Sequence, residues 1–241
     1  CQNLMNLILL YTSDFTDDNT VVINDRRFHH IRSVHQPESG ETLKVGLLNG
    51  NRGTGEVLSL CDKEIVLNVT LDKPAPESLP VTLVLALPRP KMMKRTLQTI
   101  AAMGVKEIYL INSYRVDKSY WSSPLLQPEK IREQLVLGLE QAGDTVMPEV
   151  HLRKRFKPFV EDELPAISQN TRALVAHPYH ASPCPAASAE PSTLAIGPEG
   201  GFIAYEVEKL KECGFNAIHI GERILRVENA VPVLLARLFP L

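Results

Sequence analysis

At 241 residues with 44% hydrophobic content, the chain is long enough for two modest domains or one large one around a real core. It has no run approaching the roughly 18 uninterrupted apolar residues of a membrane span, and its start lacks the basic flank and cleavage site of a secretory signal, which argues against an inserted or exported protein. The net charge of −2 is segregated: residues 73–160 hold 14 Lys/Arg against 8 Asp/Glu, while the segments on either side each hold 6 against 10, which suggests a confined surface for an anionic partner instead of a uniformly basic nucleic-acid coat.

Met5 followed by NLILLY looks like a natural beginning, so residues 1–4 are expected to carry no function. From LILLY to about Val69, short alternating runs are separated by turn residues. The stretch ETLKVGLLNGNRGTGEVLSLCDKEIVLNV reads as strands over 42–48, 53–60 and 65–69, with turns at Asn49, Gly50 and Asn51 and at Asp62 and Lys63. With VVI and the first strand they predict a small β-barrel, and RRFHHIRSV, residues 26–34, is its one helix. DKPAPESLP, residues 72–80, has three prolines and no periodicity. The boundary is placed there: a β-barrel over 1–72, a linker over 73–80 and a second domain over 81–241.

Beyond the linker, strand and helix patterns alternate. VTLVLALP is a strand, KMMKRTLQTIAAMG a helix ending at Gly104, EIYLIN a strand, and 128–143 a helix with Pro at its start and Gly at its end. The strand RALVAH precedes a Pro/Ala/Ser loop over 178–192. TLAIG, a helix over 204–213, AIHIG and a final helix with Pro232 in its first turn complete the chain. This alternation predicts an α/β fold around a mostly parallel sheet covered on both faces. Cys1, Cys61, Cys184 and Cys213 form no CxxC pair, which argues against a zinc ribbon, a disulfide framework or a thioredoxin-like site and fits a reducing, cytoplasmic location.

Two loops follow apolar strands late in the chain: GPEGGF after TLAI, and GERILRVENA after AIHI. Ligands of open α/β sheets bind beyond the carboxyl ends of strands, so the two loops are expected to share a pocket. A phosphate grip needs consecutive backbone donors at a helix start, as in GxGxxG or GxxxxGK[ST], and GPEGGF matches neither. Pro198 removes a donor and Glu199 would repel a phosphate. Glu199 instead suits a cation, or a neutral ligand that offers donors.

IGPEGGF at 196–202, followed about twenty residues later by IGERILRVENA at 220–230, resembles the 16S ribosomal RNA uridine-N3-methyltransferase family of the SPOUT superfamily. The likeness extends over nearly the whole chain, through HHIRSV, ALPRPKMMKRTLQTIAAMGVKEI, LEQAGDTVMPEV and ALVAHP in family order. It implies a PUA-like, RNA-binding β-barrel joined to a SPOUT α/β domain whose C-terminal segment is threaded into a trefoil knot. Physical reasoning alone would not propose such a topology. The resemblance further implies S-adenosyl-L-methionine as cofactor, no metal, a homodimer with the pocket at the subunit interface, and 16S ribosomal RNA of the small subunit as partner. That cofactor carries a sulfonium and an ammonium and no phosphate, which answers the question of Glu199. Mapped onto this chain, its loops are Ala176, His177 and Pro178; Gly197, Glu199, Gly200 and Gly201; and Ile220, Gly221, Arg223, Ile224 and Leu225. Glu199 holds either the cofactor or the loop itself.

Uridine N3 lies on the Watson–Crick edge, so the base must be unpaired or flipped out, and catalysis is mostly positioning. Loss of its proton puts negative charge on the ring, which an arginine aimed there stabilises. The candidate is Arg226, with Glu228 as general base or as the residue orienting Arg226. Expected RNA contacts are Arg32 in the barrel, Arg89, Lys91, Lys94 and Arg95 around the first helix of the second domain, and RKRFK at 153–157. The chain departs from the family pattern at Val227 and Asn229, where Thr is usual, at Asp144, where Arg is usual, and at Met103, where Glu is usual. These departures leave open another RNA target, or a catalytically silent RNA-binding or assembly factor. His177, His180 and Cys184 lie close in sequence, but their spacing is not that of a zinc set.

Overall fold

The structure, a computed structural model, describes residues 6–240, so the expectations for residues 1–4 and Met5 lie outside the described residues. The chain divides into two compact units. One runs up to Glu77 and also takes in Val136–Met147; the other comprises Ser78–Leu135 and everything from Pro148 onward.

In the first unit, β1 (Ile8–Leu10), β2 (Thr20–Ile23), β3 (Thr42–Leu47), β4 (Arg52–Leu60) and β5 (Ile65–Lys73) form a sheet in the order β1-β3-β4-β5-β2. The β1 and β3 pair is parallel and the rest are antiparallel. Alternation along the strands turns Val57, Ile65, Leu67 and Val69 inward, where they meet Phe28 of helix α1 (Arg26–His30) and Ile31 of the π turn Ile31–His35 that continues it. Register shifts between Arg52 and Thr54 and between Val57 and Ser59 mark bulges in β4. Gly53 lies there because a Cβ would come within 1.7 Å of Thr70 O. Bulges bend and twist a strand, and the sheet curls into a half-barrel with β1 and β2 as its edges.

A buried arginine is built into this unit. Arg27 is buried and donates to Asp14 (2.6 and 2.9 Å), to Asp25 and to Leu9 O (2.7 Å). Burial alone would lower its pKa, but the two carboxylates more than compensate and raise it.

The second unit is built on seven strands, all parallel: β6 (Val81–Ala86), β7 (Glu107–Ile111), β8 (Glu149–Arg153), β9 (Arg172–Ala176), β10 (Ser182–Pro183), β11 (Ser192–Ile196) and β12 (Asn216–His219), in the order β10-β12-β9-β11-β6-β7-β8. The central strands β6 and β11 are buried almost throughout, as strands covered on both faces must be. Helices α2 (Pro90–Ala102), α3 (Pro128–Ala142), α6 (Ala204–Glu212) and α7 (Val227–Leu238) match the periodic segments, although the last turns of α3 group with the first unit. Two short helices, α4 (Phe156–Pro158) and α5 (Leu164–Ser168), flank a π turn at Phe159–Glu163. Strand β8, the two-residue β10 inside the expected loop over 178–192, and these short helices escaped the sequence reading; across the short helices, Pro158 and Pro165 interrupt the helical period.

The expected position of Pro232 is corrected. Helix α7 begins at Val227, with Arg226 as an extended cap, so Pro232 is the sixth residue of the helix and not part of its first turn. It lacks the N–H that would reach the carbonyl of Glu228. The long loop after β9 lies against the far end of α7. Ser188 N–H donates to Leu238 O (3.0 Å), and the Arg172 guanidinium donates to both Ala186 O (3.3 Å) and Leu238 O (3.2 Å). Cys61, Cys184 and Cys213 are free thiols. Among the described residues, no helix is long and apolar enough to cross a membrane.

Candidate active site

Adjacent strands β12, β9 and β11 end side by side, and a cleft of about 410 Å³ opens beyond their carboxyl ends. That volume lies in the range of small-molecule sites. Its walls are the three strand ends with the loops that follow them, Arg115 from the loop after β7, and one face of α7. Val227, Ala230 and Leu234 share that face because they recur at helical spacing.

All twelve residues expected in the cofactor loops line this one cleft: Ala176, His177 and Pro178; Gly197, Glu199, Gly200 and Gly201; Ile220, Gly221, Arg223, Ile224 and Leu225. Local chemistry explains the shape of the GPEGGF loop. A Cβ on Gly197 would sit 2.9 Å from Phe202 N, so only glycine lets the chain fold back on that buried phenylalanine. Gly201, at φ +74°, closes a tight turn by donating its N–H to Pro198 O (2.7 Å). Glu199 has a protein partner: Arg89 Nε donates to its Oε1 at 3.0 Å.

His177 extends the pairing of β9 with β12 by donating its N–H to Ile218 O (3.0 Å), while its Nδ1 is buried with no hydrogen-bond partner. Burial, then the nearby positive charges of Lys211 and His180, lower its pKa, so the imidazole is held neutral. His219 Nδ1 accepts from Gly221 N–H (3.2 Å), which fixes the turn into the last loop.

Arg226 and Glu228 flank the cleft-lining Val227. Arg226 is exposed, and its carbonyl accepts from Asn229 N–H (3.0 Å) and Ala230 N–H (2.8 Å). Glu228 is half-buried, and its Oε2 is buried and unpartnered. The two side chains do not form an ion pair with each other.

Two residues around the cleft were missed by the sequence reading. Arg115 lines it and donates Nη1 to Gly200 O. Glu206, fully enclosed, accepts from Ser113 Oγ (3.1 Å), Tyr114 N–H (2.7 Å) and Ile203 N–H (3.0 Å), and so ties the loop after β7 to the start of α6. A glutamate three residues after the helix cap was the available signal, but Ile203 stands where a capping box has Ser or Thr.

The expected RNA contacts divide by their partners. Lys91, Lys94 and Arg95 lie exposed along one stripe of α2 without an ion-pair partner among the described residues, and Arg89 caps the helix. Arg32 pairs with Asp62 (2.7 Å), Arg153 with Glu163 (2.7 Å) and Lys157 with Glu161 (3.9 Å). Asp144, one of the departures from the family pattern, is buried and accepts from the Thr145 and Val146 N–H groups (2.6 and 3.0 Å), so its carboxylate serves the turn after α3. Among the described residues, the one group of three His, Cys, Asp or Glu side chains close enough to share an ion is Glu107, Glu149 and His151. There the imidazole is already engaged by Glu107 (2.7 Å) and stacked on Tyr109.

A parallel α/β sheet with a cleft beyond three neighbouring strands, lined by a glycine loop that lacks phosphate-gripping chemistry, defines an α/β protein with a small-molecule site. Residues 75–239 match the RNA methyltransferase domain family, and the chain belongs to that family. The ribosomal RNA small subunit methyltransferase E of Treponema pallidum is 28% identical over 94% of this chain and 87% of its own length. Ribosomal RNA small subunit methyltransferase E 2 of Borreliella burgdorferi is 25% identical over 90% of each. The structure of a ribosomal RNA small subunit methyltransferase E from Neisseria gonorrhoeae bound to S-adenosyl methionine matches with a TM-score of 0.71 at 21% identity, over 95% of both chains. A Legionella pneumophila structure in complex with the same cofactor matches with a TM-score of 0.75 at 20% identity, over 97% of this chain and 96% of that one.

Proposed function

We propose that the protein is an S-adenosyl-L-methionine-dependent methyltransferase that methylates N3 of a uridine in 16S ribosomal RNA of the small subunit, acting in the cytoplasm as a homodimer. The cleft carries the reading. Its glycine loop offers Pro198 and Glu199 where a phosphate would need donors, its wall holds the unpartnered Nδ1 of a neutral His177, and Ile224 and Leu225 supply apolar surface for a flat heterocycle. These features fit a cationic, phosphate-free cofactor held by the segments around 176–178, 197–201 and 220–225.

When bound, that group would supply an electrophilic methyl on a sulfonium. The chain's own residues position the base and manage charge. Arg226, beside the cleft-lining Val227, meets the negative charge that spreads over the uracil carbonyl oxygens as N3 loses its proton. Glu228, which does not pair with that guanidinium, takes the proton. Its orphaned Oε2 is a local cost that such a role would offset.

The RNA reading is supported by α2. Lys91 and the Glu199-paired Arg89 sit at the positive end of the helix dipole, Lys94 and Arg95 follow one turn further on, and the first turn contains no acid. Each cation there costs up to about 1 kcal/mol, and a polyanion against the stripe offsets the cost. The threaded chain end is supported by the loop that Arg172 and Ser188 fasten over the end of α7. A second subunit would cover Val233, 39% exposed on α7.

Calorimetric titration tests the cofactor. S-adenosylmethionine is expected to bind, S-adenosylhomocysteine to compete with it, and ATP to bind far more weakly. A folded protein that takes up no S-adenosylmethionine at millimolar concentration would remove the reading.

A further inference from the structure

The loop after β7 plays no part in the reading above, yet it is tightly held. Asn112 N–H donates to Arg153 O (2.9 Å), and its side-chain oxygen accepts from Trp121 Nε1 (2.9 Å). Ser113 is 2% exposed and bonded to Glu206, Tyr114 N–H is bonded to the same carboxylate, and Val116 N–H returns to Ser113 O (3.0 Å) with its side chain 6% exposed. Between these anchors the Tyr114 side chain is 79% exposed. The next residue, Arg115, lines the cleft and is itself fastened to Gly200 O.

We propose that Tyr114 is a stacking platform for an unpaired base of the RNA substrate, with Arg115 contacting the same strand at the cleft mouth. The proposal rests on the RNA methyltransferase reading of this cleft. A base extruded for reaction leaves its neighbours without a stacking partner. An aromatic ring on a fixed backbone replaces that partner at little cost in entropy, and any base has a face to offer it. Tyr114 adjoins the cleft without lining it, so it takes a base flanking the reacting uridine and not the uridine itself.

The test uses the full chain and a single-stranded RNA oligonucleotide with 2-aminopurine next to a uridine, read by equilibrium binding and by fluorescence quenching on stacking. Wild type and Tyr114→Phe should bind alike and quench the probe. Tyr114→Ala should bind roughly 5- to 100-fold more weakly and lose the quench, with S-adenosylmethionine affinity and sedimentation unchanged. RNA binding and quenching by Tyr114→Ala equal to wild type would overturn the proposal and leave the enzyme reading intact. Loss of self-association in Tyr114→Ala would also overturn it, because the ring would then face a second copy of the chain. A wild-type protein that binds neither RNA nor S-adenosylmethionine would overturn both.

Discussion

Glu206 accepts three hydrogen bonds inside a shell that excludes water, and they join the two loops that frame the cleft. Glu206→Ala would leave a hydroxyl and two N–H groups unpartnered, at about 1–3 kcal/mol each. Urea unfolding should register a loss of several kcal/mol, with a smaller loss for Glu206→Gln, which keeps one acceptor oxygen. Arg226 is expected to act on rate alone: Arg226→Ala should lower single-turnover methylation by about 100-fold or more while S-adenosylmethionine affinity is kept. Wild-type turnover in that variant would refute the assignment. The glycine loops were legible in the sequence because Gly, Pro and Glu act through local backbone chemistry. Glu206 and Arg115 were not, because their partners across the cleft loops lie 85 to 93 residues away and the local one, Ile203, lacks a capping side chain.

At the scale of elements, the GPEGGF loop depends on one missing side chain. Gly197→Ala brings a Cβ against Phe202 N and should weaken S-adenosylmethionine binding at least tenfold, a change that calorimetry would detect. The end of α3 holds a second testable feature. Burial pushes the Glu140 carboxyl up, and Arg26, which donates to both its oxygens (2.8 and 2.9 Å), lowers it only in part. With the folded pKa above the ordinary 4.5, the native state binds the extra proton. The contribution of Glu140 is therefore full below that value and is lost as pH rises through the folded pKa. The stability of wild type relative to Glu140→Gln should fall from pH 4.5 towards neutrality in urea titrations; a rise would contradict the sign. Long amphipathic helices and alternating strands were readable from their period. Residues 156–168 were not, since two prolines and a π turn leave no period to read.

For the molecule as a whole, the alternation of strands and helices predicts a parallel sheet but not its order. Strands β6 and β11 are neighbours, Val81 opposite Ser192, although more than a hundred residues separate them, and no local pattern encodes that pairing. The same non-locality puts Val136–Met147 into the first unit. The family is one of RNA methyltransferases, and the chemistry proposed for this chain is methyl transfer to uridine N3. The direct measurement is nucleoside mass spectrometry of 16S ribosomal RNA from small subunits purified from cells lacking the gene, after incubation with the protein and S-adenosylmethionine. The account predicts new N3-methyluridine with wild type and none with Arg226→Ala. A methyl group on any other atom or nucleoside, or no incorporation by a protein that binds the cofactor, would contradict it.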